Sequence, residues 1–260
     1  MKVLVTGAAS GIGKATAEKL AGKHETVAFD IDGEALSGLP AGIEKVQGDV
    51  RDEGDVASAV EGRELDVLVN CAGYYELGAI EDMEQDDVRK IFDTNFHGYL
   101  NFIRNAAPAL RERNGRIVNV SSIAGRMSMP YFGAYCASKH AVEAATDALR
   151  MEMEGRGVEV VLVEPGPVET GFNERARKAV EKYLPDSVYS KDYEKILQQE
   201  TRGVDAGKAA EKVVRAATSE SPRRRYTVTS EAWLAPKLKR FLPRPVWYRL
   251  VRKLSVTGAP

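Results

Sequence analysis

The sequence predicts an α/β protein built on a doubly wound parallel sheet. Short β-branched runs alternate with helical patterns along most of the chain. Most of those runs are near-continuously apolar, as in parallel strands covered on both faces. A glycine-rich turn joins the first strand to the first helix, where sheets of this kind take nucleotides. Strand–helix–strand alternation with right-handed crossovers then gives one open sheet with helices on both sides.

Seven strands are expected in order: KVLVT (2–6), ETVAFD (25–30), EKVQGD (44–49), LDVLVN (65–70), GRIVNVS (115–121), VEVVLVEP (158–165) and RYTVTS (225–230). Helical patterns fill 12–22, 53–62, 84–111, 134–154 and 205–219. After the sixth strand comes a polar, helix-prone stretch, about 168–203, with three tyrosines. An insert of that length at a strand's carboxyl end suits a lid better than a plain connection. Residues 1–230 are thus expected to form a single catalytic domain carrying this lid, followed by a basic extension, 231–260.

A chain of 260 residues is long enough to bury about three quarters of its unfolded surface without a disulfide or metal staple. The net charge of −1 gives no electrostatic case for nucleic acid. It conceals an asymmetry, because Arg223 to Lys253 holds ten Lys or Arg and a single acid, Glu231. Two readings of that tail stay open: an interfacial segment making peripheral contact with anionic membrane, or a solubilising cap or oligomer contact. Prolines 236, 243 and 245 are expected to break any long amphipathic helix there. Cys71 and Cys136 lack metal-ligand or disulfide spacing, which fits a reducing, cytoplasmic setting. His24, His97 and His140 are scattered, so no metal is expected. MKVLVTG enters a strand at once, leaving no room for a signal peptide, and no run of eighteen apolar residues would span a membrane.

Two local patterns carry chemistry. In VLVTGAASGIGKATAEKL, Gly7 permits a tight turn, while Gly11 and Gly13 let backbone approach a pyrophosphate and helix pack on strand. Asp30, at the tip of the second strand, would accept hydrogen bonds from ribose hydroxyls and repel a 2′-phosphate. No arginine neighbours Asp30 in sequence and Ser10 occupies the turn, so NAD is preferred to NADP. In YCASK, Tyr135 and Lys139 lie one helical turn apart on one face. An ammonium beside a phenol favours the phenolate, which would make Tyr135 a general acid or base; two neighbours on a helix surface is the plainer alternative.

Taken together, these motifs resemble the short-chain dehydrogenase/reductase family over roughly residues 1–230. Thr6, Gly7, Gly11 and Gly13 match its TGxxxGxG turn, and Asp49–Val50 its adenine-contacting turn. NCAG (70–73) is similar to its NNAG, with Cys71 in a mainly structural position. Asn95 stands where the family has a helix-embedded asparagine, Ser122 where it has its serine, YCASK where it has YxxxK, and PGPVET (165–170) where it holds the carboxamide.

The resemblance implies a Rossmann-type seven-stranded sheet of order 3-2-1-4-5-6-7 and a homodimer or homotetramer assembled through the long helices. It implies catalysis by Asn95, Ser122, Tyr135 and Lys139, with Asn95 anchoring a water in the proton path. Implied cofactor contacts are Gly7, Ser10, Gly11, Ile12, Gly13, Asp30, Ile31, Asp49, Val50, Asn70, Ala72, Gly73, Tyr135, Lys139, Pro165, Gly166, Val168 and Thr170. Met127, Met129 and Phe132, with Phe172 of the lid, suggest an apolar substrate pocket. Within the family, GRMSMPYFGAYCASKHAVEAATDALRMEM is most similar to the hydroxysteroid and retinol dehydrogenase branch. The expected function is NAD(H)-dependent interconversion of an apolar alcohol and its carbonyl. Alternatives are a non-catalytic NAD(H) sensor, opposed by the presence of Ser122, Tyr135 and Lys139, and sugar-nucleotide chemistry, opposed by the lack of a large C-terminal substrate domain.

Overall fold

The computed structural model describes residues 1–198 and 203–257, with the side chains of 172–175 and 256–257 outside that set. In chain order the elements are β1 (Lys2–Thr6), α1 (Gly11–Leu20), β2 (Glu25–Asp30), α2 (Gly33–Ser37), β3 (Ile43–Gln47), α3 (Glu53–Val60) and β4 (Val67–Asn70). Then come α4 (Gln85–Phe92), α5 (Gly98–Glu112), β5 (Arg116–Val120), α6 (Gly133–Met153) and β6 (Glu159–Glu164). The chain continues through β7 (Val168–Glu169), α7 (Gly171–Lys178), α8 (Ser190–Gln198), β8 (Val204–Asp205), α9 (Ala206–Thr218), β9 (Arg225–Thr227), α10 (Ser230–Phe241) and α11 (Arg244–Thr257).

The sheet is parallel throughout and ordered β3-β2-β1-β4-β5-β6-β9, the doubly wound order expected from the sequence. The strand period of two splits its side chains between two cores. Val3 and Val5 face α1 and α9 with Ala17, Leu20, Val213 and Ala216. Leu4, between them, faces α3 and α5 with Val56, Ala59, Phe102 and Ala106. The order reverses between β1 and β4, so the ends of β1, β2, β4, β5 and β6 border one crevice.

Three segments depart from expectation. The helix predicted over 84–111 is two helices joined by a π-helical turn, Asp93–His97, centred on Asn95. The last strand stops at Thr227, because the Thr229 hydroxyl caps α10 by accepting from the Ala232 N–H at 3.2 Å. The tail's prolines punctuate helices and do not abolish them: Pro236 lies within α10 and Pro243 in the turn before α11. The 168–205 insert is bracketed by a two-stranded parallel ribbon in which Val168 pairs with Val204. Inside it, Tyr193 is fully buried and its hydroxyl accepts from the Ala79 N–H at 2.7 Å.

Candidate active site

The glycine turn is packed as tightly as its sequence suggests. Gly7 has φ +68°, and a Cβ there would lie 2.7 Å from the Ala72 Cα. A Cβ on Gly13 would lie 2.0 Å from the Gly7 carbonyl oxygen. Thr6 Oγ1 accepts from the N–H groups of Cys71 and Ala72, tying the end of β1 to the end of β4. Helices α3, α9 and α10 are closed by Asp52, Asp205 and Thr229, but Ser10 makes no side-chain cap on α1 and its first turn carries no acid. The open N-terminus of α1 therefore presents backbone donors and positive dipole to the crevice, as a pyrophosphate requires.

At the far end of the crevice, Asp30 Oδ2 accepts from Ala9 N–H at 2.9 Å and Oδ1 from Asp32 N–H at 3.0 Å. Each oxygen keeps a lone pair for a hydroxyl, and the carboxylate is held rigid against the glycine turn. An arginine does reach this end of the crevice: Arg51 lines it along with Asp30 and Ile31. Its guanidinium is bound by Asp49 through both oxygens, with Nε at 2.9 Å from each. The same contact holds the Asp49 carboxyl below its ordinary range.

On the other side of the switch point, Ser122 stands just past the end of β5, and Tyr135 and Lys139 project from α6 into the same space. Burial pushes the Tyr135 phenol up to about 12, partly offset by its hydrogen bond with Ser122. The Lys139 ammonium lies 6.0 Å from the Tyr135 ring centre and donates to the Val120 carbonyl at 3.0 Å and the Tyr99 hydroxyl at 3.4 Å. Burial lowers Lys139 itself to about 8, with Cys71 and Glu143 acting in the opposite sense. Burial thus raises the phenol and lowers the ammonium beside it. Cys71 also borders the crevice, but burial pushes its thiol up to about 12, which leaves it a neutral, inert lining group.

The crevice and the adjoining pocket form one cavity of about 1170 Å³. That exceeds what one small ligand needs and leaves room for a dinucleotide and a second molecule. Gly7, Ser10, Gly11, Ile12, Gly13, Asp49, Val50, Ala72, Gly73, Pro165, Gly166, Val168 and Thr170 all line it, as do Met127, Met129 and Phe132. Two residues assigned from the sequence sit behind it. Asn70 is fully buried and donates to Asn119 Oδ1 at 2.9 Å, part of a ladder that continues to Thr146 on α6. Asn95 accepts from Tyr74 N–H at 2.7 Å and donates to the Tyr74 carbonyl and Ser138 hydroxyl at 2.8 and 2.9 Å. Its side chain pins the loop after β4 to α6. Phe172 has its side chain outside the described residues.

The chain matches the family model described as short chain dehydrogenase over residues 1–181. It belongs to the short-chain dehydrogenase/reductase family. It is 38% identical over 203 residues to the Helicobacter pylori protein named "Probable short-chain type dehydrogenase/reductase VdlC", covering 74% of this chain and 72% of that one. It is 39% identical over 183 residues to a 3-ketodihydrosphingosine reductase of Bacteroides thetaiotaomicron, covering 66% and 65%. A Burkholderia cenocepacia short chain dehydrogenase in complex with NADP shares the fold, with TM-score 0.79, 24% identity and coverage of 96% and 97%. A Burkholderia phymatum short chain dehydrogenase/reductase in complex with NAD superposes with TM-score 0.75, 26% identity and coverage of 92% of both chains. The protein is therefore an oxidoreductase of this family with a nicotinamide cofactor site.

Several lining residues of this family member escaped the sequence. Tyr75 packs on Tyr135 with ring centres 4.9 Å apart and on Phe132 at 5.9 Å. Leu77 lines the cavity too, with Arg177 and Ile196 of the insert. Trp247 and Val251 of α11 pack on Met127 and close the pocket from the C-terminal side. Only the tail's mixture of tryptophan and leucine with basic residues hinted that it had an inner face.

The weakened Lys139 has a measurable stability consequence. Its ordinary value of 10.5 falls to about 8, equivalent to about 3 kcal/mol spent on holding the ammonium in a buried site. Because the folded value is depressed, that cost is complete below about pH 8 and is relieved as pH rises through 10.5. Lys139→Met is expected to stabilise the fold by about 1–3 kcal/mol at pH 7, since the Val120 carbonyl keeps the Tyr99 hydroxyl as donor at 2.9 Å. The gain should vanish near pH 10.5 in urea denaturation. A variant less stable than wild type at pH 7 would show that the ammonium's hydrogen bonds outweigh its desolvation.

Proposed function

We propose that the protein is an NAD(H)-dependent dehydrogenase or reductase of an apolar alcohol or its ketone or aldehyde, with Tyr135 as the acid–base group. The convergence of Ser122, Tyr135 and Lys139 in one cavity with the Asp30-anchored glycine turn carries this reading. When bound, the nicotinamide accepts or donates the hydride and, oxidised, brings a positive charge to the cavity. Tyr135 takes the alcohol proton in oxidation and returns it to the carbonyl oxygen in reduction. Ser122, already bonded to Tyr135, orients that same oxygen. Lys139 offers its ammonium to ribose hydroxyls and supplies the cation that a forming phenolate needs. Asn95 acts as a positioning residue, holding the loop after β4 against α6. Met127, Phe132, Tyr75 and Trp247 exclude water and favour an apolar chain or ring system. The similarity to a reductase named for a sphingoid ketone supports a lipid-like substrate.

Preference for NAD rests on charge. Asp30 would lie against a 2′-phosphate, and the guanidinium that could compensate is already held by Asp49. Fluorescence titration with NADH and NADPH is expected to favour NADH by at least about tenfold, the worth of one like-charge contact. A turnover screen over secondary alcohols, sterols, retinoids and sphingoid ketones then tests the chemistry. NADPH preference would overturn the Asp30 argument. Tight binding with no turnover on any member of the screen would favour a sensor.

A further inference from the structure

Among the described residues, eight of the thirteen large apolar side chains that stand exposed lie on α10 and α11, about a tenth of the chain. Such a concentration marks a contact surface, since scattered exposed apolar residues need no explanation but a contiguous set does. On α10 the residues Trp233, Leu234, Leu238 and Phe241 recur at helical spacing along one stripe, with Phe241 80% and Trp233 55% exposed. Lys237 lies on the same stripe, its ammonium 3.2 Å above the Trp233 ring. On α11, Leu250 and Leu254 are 37% and 41% exposed. Leu238, Leu250 and Leu254 also line the active-site cavity, so its mouth opens directly onto this apolar surface.

Charge selects the partner. The two helices carry seven Lys or Arg, all exposed, against one acid, Glu231. A second copy would bring this cationic surface against itself, a repulsive pairing. A basic, aromatic-studded helical face fits the interface of an anionic bilayer, where aromatic and leucine side chains enter the acyl boundary and Lys and Arg meet the headgroups. Helices of 12 and 14 residues are too short to cross, and no helix among the described residues is long and apolar enough to do so. They can lie in the interface plane.

We propose that α10 and α11 form a docking face for an anionic lipid surface and set the cavity mouth against it. Docking stands independently of the reaction proposed above; only delivery of a lipid-soluble substrate through the mouth rests on that reading. The test is co-sedimentation of the full chain with phosphatidylcholine–phosphatidylglycerol vesicles and with pure phosphatidylcholine vesicles, at low and high salt. The double variants Trp233→Ser/Phe241→Ser and Lys237→Glu/Arg240→Glu run in parallel. All four positions lie outside the cavity lining, so thermal melts and NADH titration serve as folding controls. The expected result is binding to the anionic vesicles that weakens about tenfold or more on pure phosphatidylcholine, at high salt and in either variant. Trp233 emission should move to shorter wavelength on binding. Three results would overturn the proposal: no binding to anionic vesicles at low salt, undiminished binding by both variants, or light scattering that shows Trp233→Ser/Phe241→Ser splitting a dimer.

Discussion

Tyr135→Phe is expected to lower kcat in either direction by about 10²–10⁴-fold while leaving NADH affinity within about threefold. The phenyl ring that remains still packs on Tyr75, whose ring centre lies 4.9 Å away, so the wall of the pocket survives. Stability should change by less than about 1 kcal/mol, since no core volume is lost. The variant removes one atom, and that atom is the proposed proton carrier. In the free protein burial holds this phenol at about 12. The phenolate fraction that oxidation needs therefore grows as pH rises, and wild-type oxidation should speed up on the alkaline side of neutrality. The residual activity of Tyr135→Phe should not. Steady-state kinetics from pH 6 to 9 on both proteins would decide the matter: more than about a tenth of wild-type kcat retained, or an unchanged pH slope, would move the acid–base role away from Tyr135.

Arg225→Met is expected to cost about 3–5 kcal/mol, the penalty for stripping a buried carboxylate pair of its cation. Arg225 sits on the edge strand β9 and contacts both Glu143 and Glu164, whose side chains are 9% and 2% exposed. Glu143 stands one helical turn beyond Lys139, and Glu164 immediately precedes Pro165 at the cavity edge. Arg126 also donates to Glu164 at 3.0 Å, but it is more exposed and does not reach across to α6 in the same way. Burial raises the Glu164 carboxyl above its ordinary range, with Glu143 adding to the rise and Arg225 opposing it. A raised folded value means that the folded state holds this proton more tightly than the unfolded chain. Stability from this group therefore grows as pH falls through the folded value and is lost as pH rises through it. Without Arg225 the rise should be larger, so the deficit relative to wild type should be smaller at pH 5.5 than at pH 7.5. Denaturant melts at the two pH values measure it. A deficit below about 1 kcal/mol at pH 7.5 would mean that water or Arg126 satisfies both carboxylates unaided.

The sequence by itself determined the parts of this protein that depend on local pattern. Apolar strand runs, the Gly7–Gly13 turn and the one-turn spacing of Tyr135 and Lys139 each follow from backbone period and sterics. From those the doubly wound sheet and the shared face of Tyr135 and Lys139 could be read, while Ser122 joined them only through the resemblance to the family. The tertiary structure decided what depends on contacts between distant segments. Asn95 braces the loop after β4 against α6 because Tyr74 and Ser138, on other elements, meet its side chain. Arg51 entered the Asp30 end of the crevice from the loop after β3, a neighbourhood the sequence around Asp30 does not record. Trp247 and Val251 closed the pocket because α11 folds back on Met127 more than a hundred residues earlier in the chain. Most of all, burial raises Tyr135 and lowers Lys139, which their spacing does not record. Spacing along a helix places two charges, but burial sets the dielectric around them, and burial is a property of everything else that packs there.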